Sequence, residues 1–119
     1  MFKITKEFTC CSSHVLNGLP KEHPCARLHG HNYVIRVELI SDNLNDVGFV
    51  FDYRGLDYIK QWIDETMDHK HLNDVFDFNP TAENMSMHIY QIFKLSLPQL
   101  NAIEISETPK TNARYSLEK

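Results

Sequence analysis

From the second residue the chain alternates. Phe2, Ile4, Phe8 and Cys10 are apolar while Lys3, Thr5, Glu7 and Thr9 are polar, the period of two that a strand shows when one face is buried and the other is wet. The same parity runs on through Ser12 to His14. After a loop over 17–24 rich in Gly, Pro, Lys and Glu, a second alternation places His29, His31, Tyr33, Ile35, Val37 and Leu39 on one face and Asn32, Arg36 and Glu38 on the other. Ser41-Asp42-Asn43 and Asn45-Asp46 favour turns, and Phe49-Val50-Phe51 reads as a third short stretch in a meander of antiparallel strands. The period changes after Asp52. Leu56, Ile59, Ile63 and Met67, with Trp62 beside them, recur at helical spacing and predict an amphipathic helix over 53–67 that stops near Asp68. Asn79-Pro80 offers a capping side chain followed by proline at the first helical position, and Met85, Ile89, Ile92 and Phe93 mark a second helix ending before Pro98. Ala102, Ile103 and Ile105 open a last strand with Glu107 in the parity of its apolar face, and Ala113, Tyr115 and Leu117 suggest a closing strand or extended tail. This order predicts an α+β domain in which two helices cover an antiparallel sheet.

Composition narrows the class. With 119 residues, 42% hydrophobic and 24% charged, and no repeat, linker or low-complexity run, the chain suits one globular domain over 1–119 that oligomerisation would help to stabilise. There are 16 acidic residues against 12 basic, a formal net charge of −4 and no Lys/Arg cluster, so nothing here would hold a polyanionic nucleic acid. A small phosphate ester remains compatible. No apolar run approaches a membrane span, and Met-Phe-Lys-Ile-Thr-Lys-Glu alternates where a signal peptide has an apolar block, so a cytoplasmic protein without membrane contact is expected. Three cysteines, an odd number, argue against a disulfide framework. The vicinal Cys10-Cys11 reads as packing and surface.

The candidate chemistry begins with His29 and His31, which point to the same side of a strand and can reach one metal ion. His14 is the candidate third ligand, because the end of one strand can lie beside the start of its antiparallel neighbour. Three neutral imidazoles and one open position are the donor set of a catalytic zinc; the plainer alternative is three ordinary sheet residues. Cys25, in the loop before the second strand, has two readings. It completes a closed Cys/His3 structural zinc, or it stays outside the ligand face as a nucleophile or base whose thiolate a cation or histidine stabilises. Such a histidine stands in Met67-Asp68-His69-Lys70-His71-Leu72-Asn73-Asp74, where a carboxylate can orient an imidazole for proton transfer. Adjacent residues do not face each other in a regular helix, so the pair needs irregular backbone or partners on another chain. The plainer reading is a histidine at the negative pole of a helix end. Glu107, on the apolar side of its strand, needs a partner: an internal arginine, or the two N–H donors on the amino-pyrimidinone edge of a pterin or guanine. His23 and His88 have no such partner, and His88 reads as a structural histidine of the second helix.

The segments SSH, CARLHGHNY, FVFDYRGL, MDHKHLND, NPTAEN and ETPKTNARY, in this order and spacing, resemble the family of 6-pyruvoyl-tetrahydropterin synthase and its bacterial relative, the 6-carboxytetrahydropterin synthase of the queuosine pathway. The resemblance implies zinc held by His14, His29 and His31, with Cys25 outside the zinc shell as an acid/base catalyst working with Asp68 and His69. It implies Glu107 as the anchor of a pterin ring and Thr81 as a second contact. Three residues, Ala26-Arg27-Leu28, separate the cysteine from His-Gly-His, as in the queuosine branch; the pyruvoyl-forming enzymes typically have five. The family's first motif usually reads Ala-Ala-His-Arg-Leu, and Ser12-Ser13-His14-Val15-Leu16 keeps the ligand but lacks the arginine. His71 takes a variable position and has no assigned role.

The activity implied is that of a zinc-dependent lyase converting 7,8-dihydroneopterin triphosphate to 6-carboxy-5,6,7,8-tetrahydropterin with release of acetaldehyde and triphosphate. The sister product 6-pyruvoyl-tetrahydropterin is the alternative on the same scaffold, and a non-catalytic zinc- or pterin-binding module is the alternative of another class. The implied architecture is the tunnelling fold, in which three subunits join four-stranded antiparallel sheets into a barrel. Two such trimers stack into a homo-hexamer with active sites between subunits.

Overall fold

The structure, a computed structural model, describes residues 1–117. Strand β1 (Phe2–His14) and strand β2 (His29–Ser41) pair antiparallel without a break, from Phe2 opposite Ser41 to His14 opposite His29. Strand β3 (Leu100–Ser106) lies on the other side of β2, with a register shift between Glu38 and Leu39, and strand β4 (Ala113–Ser116) pairs with β3. The sheet is therefore four-stranded and antiparallel in the order β1-β2-β3-β4. Its helical side is covered by α1 (Asp57–Thr66) and α3 (Ala82–Phe93), with a single turn, α2 (Leu72–Val75), between them. No helix among the described residues is long and apolar enough to cross a membrane.

The core follows from the two periods. Phe8, Cys10, Tyr33, Ile35, Val37, Leu39, Ile103 and Ile105 come from the sheet, and Leu56, Ile59, Ile63, Met67, Met85, Ile89 and Phe93 meet them from the helical layer. Each such side chain contributes about 1.5–3 kcal/mol by leaving water.

Three expectations shift. Phe49-Val50-Phe51 is not a strand: Asn45 takes up both backbone groups of Phe49, its Oδ1 accepting from the Phe49 N–H and its N–H donating to the Phe49 carbonyl, each at 2.9 Å, and the Val50 carbonyl accepts from Gln99 Nε2 at 3.0 Å. The helix expected over 53–67 is divided into a 3-10 turn, Tyr53–Leu56, capped by Asp52, and α1 proper. The third shift moves the start of the second helix. Thr81, not Asn79, caps it, accepting from the Asn84 N–H at 3.0 Å, while Asn79 bonds both backbone groups of Asn17.

The face of the sheet opposite the helices is polar, and Glu38 is buried within it. Arg114 donates to both its carboxylate oxygens, at 3.0 and 2.7 Å, and Asn101 Nδ2 adds a bond of 2.7 Å. Burial alone would raise the Glu38 carboxyl, but the hydrogen bonds from Arg114 and Asn101 outweigh it and hold the group below its ordinary value. A carboxyl depressed by folding stabilises fully above its unfolded pKa, and that contribution disappears as the pH falls through the folded value. Arg114→Met should therefore cost about 2–3 kcal/mol in urea unfolding at pH 7. The gap to wild type should narrow on acidification as Glu38 takes up a proton.

Candidate functional site

Opposed at the end of the β1–β2 ladder, His14 and His29 share the helical face with His31 two residues on. The three rings stand edge to face, with centroids 4.5 Å apart for His14 and His29, 5.1 Å for His14 and His31, and 4.9 Å for His29 and His31. One nitrogen from each lies within 4.8 Å of the others, the one such group of metal-ligating side chains among the described residues. Tyr33 underlies the cluster, its hydroxyl 3.1 Å from His14 Nδ1.

The hydrogen bonds around the rings decide where their lone pairs point. His14 Nδ1 lies 2.9 Å from the Pro80 carbonyl and His29 Nδ1 lies 2.7 Å from the Arg27 carbonyl. A carbonyl only accepts, so both Nδ1 atoms carry the proton and donate, which leaves each Nε2 as a bare acceptor in the neutral ring. Those two Nε2 atoms face each other at 2.9 Å. Two lone pairs at that distance repel unless a proton or a metal ion lies between them. His31 Nε2 adds a third donor. Among the described residues it is the one buried side-chain nitrogen or oxygen without a hydrogen-bond partner, since Glu107 Oε2, at 3.7 Å, is beyond hydrogen-bond reach. Burial lowers the pKa of His14 and of His31, outweighing the opposite pull of the Pro80 carbonyl on His14 and of Glu107 on both, which favours the neutral rings that act as ligands. Backbone carbonyls that orient the ligating imidazoles are the usual outer shell of such a site. The donor set fits a divalent metal.

Glu107 follows β3 directly and lines two cavities. One, of about 310 Å³, also touches Ala82, Thr111 and Asn112; the other, of about 680 Å³, also touches His31, Asn32 and Arg36. Thr81 caps α3 at the rim of the smaller cavity, next to Ala82. The structure thus brings Glu107 and the start of α3 to the metal-ligating cluster.

It does not bring Cys25 to Asp68 and His69 within one chain. Cys25 sits in a 3-10 turn, Pro24–Ala26, its N–H donating to His23 Nδ1 at 3.0 Å and its carbonyl accepting from Leu16 at 2.9 Å. Among the described residues no hydrogen bond or ion pair joins it to the Asp68–His69 pair. That pair follows α1 in a turn where His69 has φ +57°, the irregular backbone that adjacent partners require. Asp68 Oδ2 is 3.6 Å from His69 Nε2. Of the vicinal cysteines, Cys10 is buried, its thiol pushed up to about 11 by that burial, and Cys11 is exposed.

Three contacts of the site are not announced by alternation or motif spacing. The Pro80 carbonyl that orients His14 had no signal beyond the proline, whose carbonyl the displaced helix start leaves free for the ring. The bonds of Ser12 and Ser13 to the Met67–His71 turn had one: Ser12 is a hydroxyl at a buried position of an otherwise apolar parity.

Residues 3–118 match the family described as 6-pyruvoyl tetrahydropterin synthase. The chain is 33% identical to a 6-carboxy-5,6,7,8-tetrahydropterin synthase of Synechocystis sp., over 97% of this chain and 93% of that protein. It is 28% identical to the Bacillus subtilis protein of the same name, over 96% and 84% of the two chains. Among solved structures, Caenorhabditis elegans 6-pyruvoyl tetrahydropterin synthase superposes with a TM-score of 0.85 at 25% identity, covering 98% of this chain and 96% of that one.

If the triad is the metal centre, protein purified without chelator should carry about one divalent ion per chain by elemental analysis. His29→Ala and His31→Ala should each weaken binding by at least about 100-fold. Retention of the metal in both variants would place it elsewhere.

Proposed function

The chain belongs to the 6-pyruvoyl tetrahydropterin synthase family, and from that membership we propose that this enzyme is the zinc-dependent lyase of the queuosine branch. It takes 7,8-dihydroneopterin triphosphate to 6-carboxy-5,6,7,8-tetrahydropterin, acetaldehyde and triphosphate. The observation that carries the reading is the facing pair of nitrogens, His14 Nε2 and His29 Nε2, at 2.9 Å, with the orphaned His31 Nε2 beside them. Relatives named for the carboxylated product support the branch.

Zinc held by His14, His29 and His31 would supply a Lewis acid that polarises the oxygens of the substrate side chain and makes the neighbouring protons more acidic. The remaining work belongs to the polypeptide. The Glu107 carboxylate accepts from the two N–H donors of the pterin edge. Thr81, whose oxygen already accepts from Asn84, keeps its hydroxyl proton to donate to the ring. Glu107 Oε2 lies 3.7 Å from His31 Nε2, so anchoring the ring there keeps it beside the ligand cluster and limits where its side chain can lie before any proton moves. Cys25 Sγ and His69 move the protons, and the Asp68 carboxylate, its Oδ2 3.6 Å from His69 Nε2, stands beside the imidazole as the counter-charge for the imidazolium formed in transfer.

Cys25 and the Asp68–His69 pair meet across a subunit boundary in this reading. Strands β1 and β4 both end the sheet as edges, and exposed edges invite pairing with another copy. Joining β1 of one subunit to β4 of the next closes three sheets into a barrel, and two stacked trimers make the homo-hexamer.

The decisive test incubates the zinc-loaded protein with 7,8-dihydroneopterin triphosphate, assays acetaldehyde and identifies the pterin by mass. Acetaldehyde with a carboxylated pterin is expected. A pyruvoyl pterin without acetaldehyde would assign the sister activity, and ligand affinity without turnover would make the protein a binding module. Cys25→Ala should reduce turnover by about 100-fold or more with zinc still bound; loss of stoichiometric zinc in that variant would make the thiol a ligand.

A further inference from the structure

The turn that carries Asp68 and His69 has no regular structure of its own, and His69 occupies the left-handed region, at φ +57°, where a side chain other than glycine's is strained. Its imidazole is 81% exposed, so side-chain packing does little to direct it. Its aim is set by the backbone beneath it, and that backbone is held by β1. The Cys11 N–H donates to Asp68 Oδ1 at 2.8 Å, the His69 N–H donates to the Cys11 carbonyl at 2.7 Å, and the Ser13 N–H donates to the Lys70 carbonyl at 3.1 Å. The turn thus lies along the outer edge of β1 in the parallel direction, with Ser13 opposite His71.

Two hydroxyls complete this seam. Ser12 Oγ, buried on the helical face, donates to the Met67 carbonyl at 2.5 Å. Ser13, on the opposite face, shares a hydrogen bond of 2.9 Å with His71 Nδ1. One bond is placed immediately before Asp68 and the other two residues after His69. Successive strand residues point to opposite faces, so the pair grips the turn from both sides of the sheet.

We infer that Ser12 and Ser13 are positioning residues, whose hydroxyls clamp the turn at Met67 and His71 and present Asp68 and His69 in one orientation for proton transfer. His71 acts in this clamp as the partner of Ser13. The inference rests on the reading of Asp68–His69 as the proton-transfer pair. It adds that the strained turn depends on side chains of the strand that ends in a metal ligand.

The test compares Ser12→Ala, Ser13→Ala and the double variant, as full-length metal-loaded protein, with Ser13→Thr as the variant that keeps the hydroxyl. Steady-state turnover of 7,8-dihydroneopterin triphosphate should show kcat lowered about 10- to 100-fold in the double variant, with KM within about twofold and metal content unchanged. Ser13→Thr should stay near wild type. Amide hydrogen exchange by NMR, which needs no turnover, should accelerate at His69 and Ser13 by about fivefold or more in the double variant. Wild-type exchange rates in the double variant would overturn the clamp, as would a loss of activity confined to KM or to metal content. If the wild-type protein proves inactive, the functional reading fails on its own. The exchange rates then still separate a clamp that holds the turn from one that does not.

Discussion

The antiparallel register of β1 against β2 is the constraint on which the site depends. Every pair from Phe2–Ser41 to His14–His29 follows one unbroken ladder, and a slip of one residue would turn each side chain of the moved strand to the opposite face. The same apolar faces that build the core, Phe8 and Cys10 against Tyr33 and Ile35, therefore also set three imidazoles side by side at the end of the hairpin. Gly30 allows the close approach there: a Cβ on it would stand 3.3 Å from the Ser12 carbonyl oxygen, so that carbonyl would have to give by a few tenths of an ångström beside the point where His14 and His29 meet.

Around this hairpin the other elements act as suppliers. The residue before the cap of α3 turns its carbonyl onto His14, the end of β3 delivers Glu107, and the turn after α1 lies along the β1 edge with Asp68 and His69. None of these contributions comes from the middle of a helix or strand; each comes from an element's end or a turn, where functional side chains are commonly carried on a rigid scaffold. Charge is separated in the same economy of space. The helical face holds the imidazoles of His14, His29 and His31 at the rim of an apolar core, whereas the opposite face holds the Glu38–Arg114 pair and the Glu7–Arg36 pair, the latter at 2.7 Å.

The readable part of the chain was the part governed by short periods. Alternation through Phe8, Cys10, Tyr33 and Ile35 and helical spacing through Ile59, Ile63, Met85 and Ile89 correspond to elements of the structure, because side-chain direction repeats locally. Phe49-Val50-Phe51 has the composition of a strand, but Asn45 takes the Phe49 N–H and carbonyl that a strand would pair, a competition that composition does not report. Asn79-Pro80 has the chemistry of a helix start, but Thr81 three residues before Asn84 competes for the same role, and the Pro80 carbonyl is drawn onto His14, 66 positions away in the chain.

Local pattern thus sufficed for an α+β chain with His14, His29 and His31 on one face and for naming Cys25, Asp68, His69 and Glu107 as candidates, since residue type and parity are properties of neighbouring positions; Thr81 came in only through the family resemblance. Long-range contacts settled the rest: that the Pro80 carbonyl meets the His14 ring, how near Glu107 comes to His31, and that Ser12 and Ser13 reach the turn beyond α1. These are distances between segments far apart in the chain, and they exist only after the core has closed and brought those segments into hydrogen-bond range.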